Sequence, residues 1–286
     1  MQNISEAIVG ALPIAIPPTP AEQSAIAAFL DHETAKIDAL VAEQERLIAL
    51  LKEKRQAVIS HAVTKGMNPN APMKDSGVEW LGQVPTHWTR QRLQDRCEFR
   101  SGKAHEPHFD DEGQFICVTA RFISSAGADG RHCSVNLTPA NFHDILMVMS
   151  DLPNGRALAR TYLVRDHRSY AVNQRVCIIT SCVDDPRFLA YLLNRYPGLL
   201  CHDDGMNQTH LSNDDFRKLS LAVPPIKEQV SIADFLDNAC RLADNLIAEA
   251  APAITLLRER RAALISAAVT GKIDVRGFVP LKQHAA

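Results

Sequence analysis

The phrase PPTPAEQSAIAAFLD at residues 17–31 returns as PPIKEQVSIADFLD at residues 224–237. Setting Glu22 against Glu228 and walking without a gap to Thr64 against Thr270 gives 22 identities in 43 positions. The echo extends upstream, where Ile4, Ser5 and LPIAIPP (12–18) shadow Leu211, Ser212 and LSLAVPP (219–225). Two copies make a duplication and not a solenoid, because a stacked array needs at least three units to bury its repeating face. The expectation is a chain that opens in the tail of one unit, runs through its helical part, crosses a long unique stretch, and then repeats tail and helix.

Neither Gly nor Pro occurs from Ala21 to Lys65, and apolar residues recur there at Ile37, Leu40, Val41, Leu47, Ile48, Leu51, Val58, Ile59 and Ala62. That three/four spacing marks one face of a long amphipathic helix. A short preceding helix with a joint near Asp31–Thr34 is expected, since Asp and Thr can cap. The second copy carries its face through Leu242, Leu246, Ile254, Leu257, Leu264 and Ile265. Pro252 within it lacks an N–H and crowds the carbonyl of residue 248, so a kink or a fresh helix start is expected there. One helix cannot bury such a stripe alone, and the simplest partner is the other copy in an antiparallel coiled-coil-like pair. The pairing candidates are Ile37, Leu40, Leu47, Leu51, Val58, Leu246, Ile254, Leu257 and Leu264.

Between the helices, residues 68–88 are rich in Pro, Asn and Gly and read as a linker or arm. Residues 89–223 break into short apolar runs, FICVT (115–119), DILMVMS (144–150), TYLVR (161–165) and RVCIITS (175–181), separated by turn material, with one helix expected over 185–196. The fold class is therefore α+β: one mixed α/β domain plus two long helices. Seven cysteines without a CxxC pair fit reduced thiols, and His132–Cys133 and Cys201–His202 lack the ligand spacing of a zinc site. Neither a signal peptide nor a run near the ~20 apolar residues of a membrane span is evident, so a cytoplasmic protein without a membrane partner is expected.

No Gly-rich phosphate loop, HExxH pair or GxSxG elbow occurs, and the eight histidines between His87 and His210 fall into no catalytic spacing. The charge inventory says more. Residues 86–222 hold 14 Arg, 2 Lys and 16 Asp or Glu, a neutral balance biased toward Arg. Arg can read guanine O6 and N7 or clamp a phosphate, and Asn and Gln can read adenine. The DNA-binding candidates are Lys103, Arg121, Arg131, Asn154, Arg156, Arg160, Asn207, Gln208 and His210, most of them in loops beside amide side chains. The plainer alternative pairs the arginines with the sixteen acids as a solvated surface.

The phrase PPxxEQxxIAxFLD, followed by a long helix ending in KEKRQAVISHAVTKG, resembles the conserved regions of type I restriction-modification specificity (S) subunits. KDSGVEWLGQVPTHW (74–88) resembles that family's lead into a target recognition domain, GMNQTHLS (205–212) its way out, and AAVTGKIDVRG (267–277) its C-terminus. The resemblance implies a non-catalytic subunit that reads double-stranded DNA, one half of a bipartite target per recognition domain. It also implies helices that hold methyltransferase subunits, association with a restriction subunit, and S-adenosylmethionine, Mg and ATP bound on those partners and not on this chain.

Against the full pattern, both helical copies are present with one complete recognition domain, as in a half-length or truncated S subunit. The expected organisation is an incomplete first domain's tail (1–16), helical region 1 (17–66), linker (67–88), target recognition domain (89–223), helical region 2 (224–275) and a C-terminal tail (276–286). The helix stripes can also pack against a second copy in a homodimer. Two other readings compete: a coiled-coil scaffold with a non-functional recognition domain, and an enzyme using a cysteine such as Cys117 or Cys177.

Overall fold

The computed structural model describes residues 10–11, 16–78, 80–151, 156–201 and 209–278. The chain divides into two compact units, one of residues 1–54 with 241–286 and the other of Arg55–Cys240.

Two long helices dominate the first unit, α1 (Pro20–Lys65) and the last helix of the chain, α6 (Ile226–Val269), each of which also extends into the second. Thr19 starts α1: its hydroxyl accepts from the Glu22 amide at 3.2 Å, and Pro20 takes the first helical position, where its missing N–H costs nothing. No joint interrupts α1 at 31–34. The Thr34 hydroxyl donates back to the Leu30 carbonyl at 2.7 Å, the mid-helix alternative to capping. Likewise α6 runs unbroken through Pro252, which sits on an exposed face, so no fresh helix starts there.

The pairing is antiparallel: Arg261 Nε meets Asp38 at 2.8 Å, Arg258 meets Glu45 at 2.8 Å, and Phe29 meets Phe278 edge-on at 5.2 Å. On α6 the inward positions are Ala243, Ile247, Ala250, Ile254, Leu257, Arg261, Leu264 and Ala268, alternating steps of four and three; on α1 they are Ile37, Val41, Gln44, Ile48 and Leu51. This is the heptad seam of a coiled coil. It corrects the candidate stripe. Ile37 and Ile254 are buried and Leu51, Leu257 and Leu264 half-buried, but Leu40, Leu47 and Leu246 stay 53%, 43% and 42% exposed. These three lie one column off the seam, on a second apolar column that periodicity alone does not separate from the first. Val58 packs instead against the core of the second unit.

That second unit is built on β1 (Met73–Asp75), β2 (Gln83–Pro85), β3 (Thr89–Arg92), β4 (Cys97–Ser101), β5 (Phe115–Val118), α2 (Ala120–Ser124), β6 (Arg131–Cys133), β7 (Pro139–Ala140), β8 (Ile145–Val148) and β9 (Ser150–Asp151). It continues through β10 (Thr161–Leu163), β11 (Tyr170–Val172), β12 (Val176–Ser181), α3 (Pro186–Leu193), α4 (Pro197–Leu200), β13 (Thr209–His210), α5 (Asn213–Lys218) and β14 (Ser220–Val223). Among the described residues two four-stranded sheets form, β10-β8-β12-β4, antiparallel throughout, and β6-β5-β11-β7, in which β5 and β11 run parallel.

The apolar runs of β8 and β12 are continuous because both faces are covered. Ile145, Met147, Cys177 and Ile179 face the core containing Phe188 and Leu189 of α3, while Leu146, Val148, Val176 and Ile178 face Val118, Tyr170 and Val172 of the other sheet. Asp185 caps α3 by accepting from the Arg187 and Phe188 amides, with Pro186 at its first position. β14 pairs with β3, Ser220 opposite Arg92 and Val223 opposite Thr89, so the chain leaves the domain beside the strand by which it came in. The segment expected as a linker carries the β1–β2 hairpin and buries Leu81, Val84 and Trp88. Glu228, in the first turn of α6, accepts from Trp88 Nε1 at 3.2 Å and sits 2.6 Å from His87 Nε2.

Candidate nucleic-acid interface

Most of the domain's charge is internally matched. Arg96 grips Asp184 through Nε at 2.7 Å, Arg100 reaches Asp144 at 3.4 Å, and Arg165 holds Asp237 at 2.6 Å. Arg187 spans Asp185, Asp234 and Asp237, and Arg92, Arg121, Arg168 and Arg217 each face a local aspartate. Eight of the fourteen arginines are thereby occupied. Among the described residues Arg90, Arg131, Arg156, Arg160, Arg175 and Arg195 face no carboxylate. Arg90 donates to the Ser220 hydroxyl, and Arg131 lies 5.3 Å over the Phe109 ring.

The candidates therefore separate. Arg121 on α2 is tied to Asp129, and Arg131 sits on β6; both belong to the second sheet or its helix. Lys103, Arg156, Arg160 and His210 gather around loops at the far end of β8. There β9 pairs with β13, His210 opposite Ser150, and the Met149 amide donates to the Arg175 carbonyl at 2.9 Å. An open depression here is lined by Ser101, Met149, Gln174, His210, Ser212 and Asp214. Asp151 accepts from the Ala157 and Leu158 amides at 2.7 and 3.2 Å, beside the exposed Arg156. Asn154, Asn207 and Gln208 lie outside the described residues.

Lys103 and the 173–175 turn are held by a buried polar network. His105 is fully buried; Nδ1 lies 2.7 Å from the Lys103 carbonyl and Nε2 accepts from the Leu137 amide at 3.0 Å, which places the imidazole proton on Nδ1. Asn173 accepts from the amides of His105 and Gln174 and donates to Glu106 at 3.0 Å, while Gln174 Nε2 reaches the same Glu106 oxygen at 3.3 Å. The Asn173 hydrogen bond holds the Glu106 carboxyl below the usual range. Gly102 has to be glycine: a Cβ there would lie 2.1 Å from the Asn173 carbonyl oxygen.

Gln174, Arg175 and Arg195 are residues that sequence reasoning missed. For the first two the signal existed, because Asn173-Gln174-Arg175 between two apolar runs is the same pairing of amide and guanidinium that picked out the other loops. Cys117 and Cys177 are wholly buried, and burial pushes the Cys117 thiol up to about 12 and the Cys177 thiol up as well, the opposite of what a nucleophile needs. Among the described residues no group of three or more His, Cys, Asp or Glu could hold a metal ion, and no helix is long and apolar enough to cross a membrane.

No curated protein matches the sequence. Solved structures do match. One is a chain from work on the structural basis underlying complex assembly and conformational transition of the type I R-M system, at TM-score 0.64 and 18% identity over 91% of this chain and 62% of that one. Another is the crystal structure of the HsdS subunit from Thermoanaerobacter tengcongensis, at TM-score 0.52 and 18% identity over 96% of this chain and 64% of that one. At such identities the likeness speaks for the fold, and the chain spans less than two thirds of either structure's length. The profile of the type I restriction modification DNA specificity domain matches residues 85–252, more than half of the 286. The chain belongs to the type I restriction modification DNA specificity domain family.

Proposed function

We propose that the chain is the non-catalytic DNA-recognition component of a type I restriction-modification system, reading one half of a bipartite duplex target and docking methyltransferase subunits through its helices. The observation that carries this reading is the gathering of carboxylate-free cations, Lys103, Arg156, Arg160, Arg175 and His210, with the exposed amide of Gln174, on the loops of one domain end in an otherwise internally neutral domain. Neutral net charge is no obstacle, because methyltransferase partners can supply phosphate contacts while this domain supplies base contacts. S-adenosylmethionine, Mg and ATP belong in this reading to partner subunits, the restriction subunit among them.

Support for a second half-site comes from the duplication. On α6 the face Gln229, Ile232, Ala233 and Leu236 is buried under the recognition domain, whereas the equivalent Gln23 and Ala27 on α1 are exposed and Ile26 and Leu30 only half-buried. A face written in the same residues fits a second recognition domain of the same fold. The exposed leucines Leu40, Leu47, Leu50, Leu242 and Leu246 offer apolar surface for methyltransferase subunits.

Selection from a pool of duplexes with a randomised segment, using the chain with its methyltransferase, tests the reading; a bipartite motif is the expected result, and recovery of no motif would overturn it. If Arg156 makes a bidentate guanine contact, Arg156→Ala relaxes one position of that motif at a cost of about 1–3 kcal/mol. Equal weakening on every sequence would assign it to phosphate instead. Replacing Leu47 and Leu51 together with Asp is expected to abolish co-purification with the methyltransferase, and Leu47→Asp alone, at an exposed position, to weaken it without unfolding the chain.

A further inference from the structure

The loop after β9 and the end of α3 meet through an uncommon piece of backbone. Ala159 and Arg195, neither of them glycine, hold left-handed φ values of 55° and 54°, and the Arg195 amide donates to the Ala159 carbonyl at 2.7 Å. Strain of this kind persists where the surroundings impose it, often at binding sites. Its consequence here is a convergence of charge. Arg160 Nε donates to the Arg156 carbonyl oxygen at 2.6 Å, and Arg195 Nη1 donates to the same oxygen at 2.9 Å.

Two guanidiniums thus share one neutral acceptor. A guanidinium carries five N–H donors, so most of the capacity of each is unspent. Neither meets a carboxylate among the described residues, although eight other arginines of the domain have found one. The acids nearest in sequence are engaged elsewhere, Asp166 by Arg168 and Tyr170, Asp185 by Arg187, and Asp151 by the Ala157 and Leu158 amides. Two like charges held on one oxygen repel, and a tetrahedral oxyanion bridging their free N–H groups removes that cost while matching their planar forks. Both side chains are half-buried at the root of the loop, whereas Arg156 is exposed at its edge.

We infer that Arg160 and Arg195 form a clamp for one phosphodiester of the duplex backbone, fixing the register at which Arg156 meets the bases. The inference rests on the DNA-reading function above and divides the loop's labour: two arginines position and one specifies.

The variants are Arg160→Ala and Arg195→Gly, the latter because glycine adopts the left-handed conformation without strain while losing the guanidinium. Duplex binding by the full chain with its methyltransferase is measured against salt, on selected and on random-sequence DNA. Each variant is expected to lower the slope of log affinity against log salt by about 0.9, the contribution of one phosphate, and to weaken all sequences alike. An unchanged slope overturns the clamp and leaves DNA reading standing. Thermal unfolding of the chain alone in inorganic phosphate, against chloride at matched ionic strength, decides the clamp apart from DNA: wild type is stabilised and both variants lose that gain. Absence of stabilisation in wild type overturns the clamp, while absence of duplex binding overturns the DNA reading.

Discussion

Arg187 and Arg175 show how differently one side chain is used within a single domain. Arg187 is enclosed by Asp185, Asp234 and Asp237, and its hydrogen bonds to Asp185 and Asp234 hold it charged. Arg175 is exposed on a turn whose neighbours Asn173 and Gln174 are fixed by Glu106. Sequence shows both as arginines in a neutral domain. What separates them is pairing across long stretches of chain, as with Arg96 and Asp184, which no local pattern encodes. The loop geometry is testable at Gly102: Gly102→Ala forces a methyl against the Asn173 backbone, and a loss of about 1–3 kcal/mol in chemical denaturation is expected, with wild-type stability counting against the close approach. The cysteines divide just as sharply. Cys182 and Cys201 are exposed, whereas burial pushes the Cys97 and Cys117 thiols up to about 12. Maleimide at pH 8 followed by peptide mapping is therefore expected to modify Cys182 and Cys201 first. Fast modification of Cys117 would mean that its sheet opens.

At the scale of elements, the two long helices, the four apolar strands and the antiparallel pairing were legible, because periodicity and the duplication carry them. The exact seam was not. Adjacent apolar columns differ by one helical step, and only the partner decides that Ile37 and Leu51 turn inward while Leu40 and Leu47 face out. Nor could composition show that a Pro- and Gly-rich segment would deliver Trp88 to Glu228, since that contact spans 140 residues. The seam predicts a contrast: Leu51→Asp buries part of an unpaired charge and should cost about 2–4 kcal/mol, and Leu47→Asp less than about 0.5 kcal/mol. Equal losses would move the seam. The first turns of α6 are bound to the recognition domain through Asp237. Burial raises its carboxyl, but Arg165, Tyr191 and Arg187 outweigh that and hold it below the ordinary value. A depressed carboxylate contributes stability above its unfolded pKa and loses it as pH falls through the folded one. Acid unfolding below about pH 4 should therefore be shallower in Asp237→Asn, and an unchanged pH profile would remove Asp237 from the account.

The chain carries one face twice, buried on α6 and largely exposed on α1, and the proposed reading of DNA should carry that repetition. If two copies of the chain assemble, a closed pair is related by a two-fold axis and offers the same recognition loops in opposite orientation. Its target is then an interrupted palindrome with identical inverted half-sites. The interval has a geometric ceiling. From Pro20 to Lys65 α1 is continuous, about 69 Å at ~1.5 Å per residue, and at ~3.4 Å per base pair that separates half-site centres by at most ~20 base pairs. Mapping methylated bases in cells where this chain is the sole specificity subunit, together with its methyltransferase, reads the outcome directly. An interrupted palindrome within that ceiling is the expected result. Two different half-sites would show that another recognition domain occupies the α1 face, and a single uninterrupted site would mean that one domain is read alone and that the open face has no part in DNA recognition.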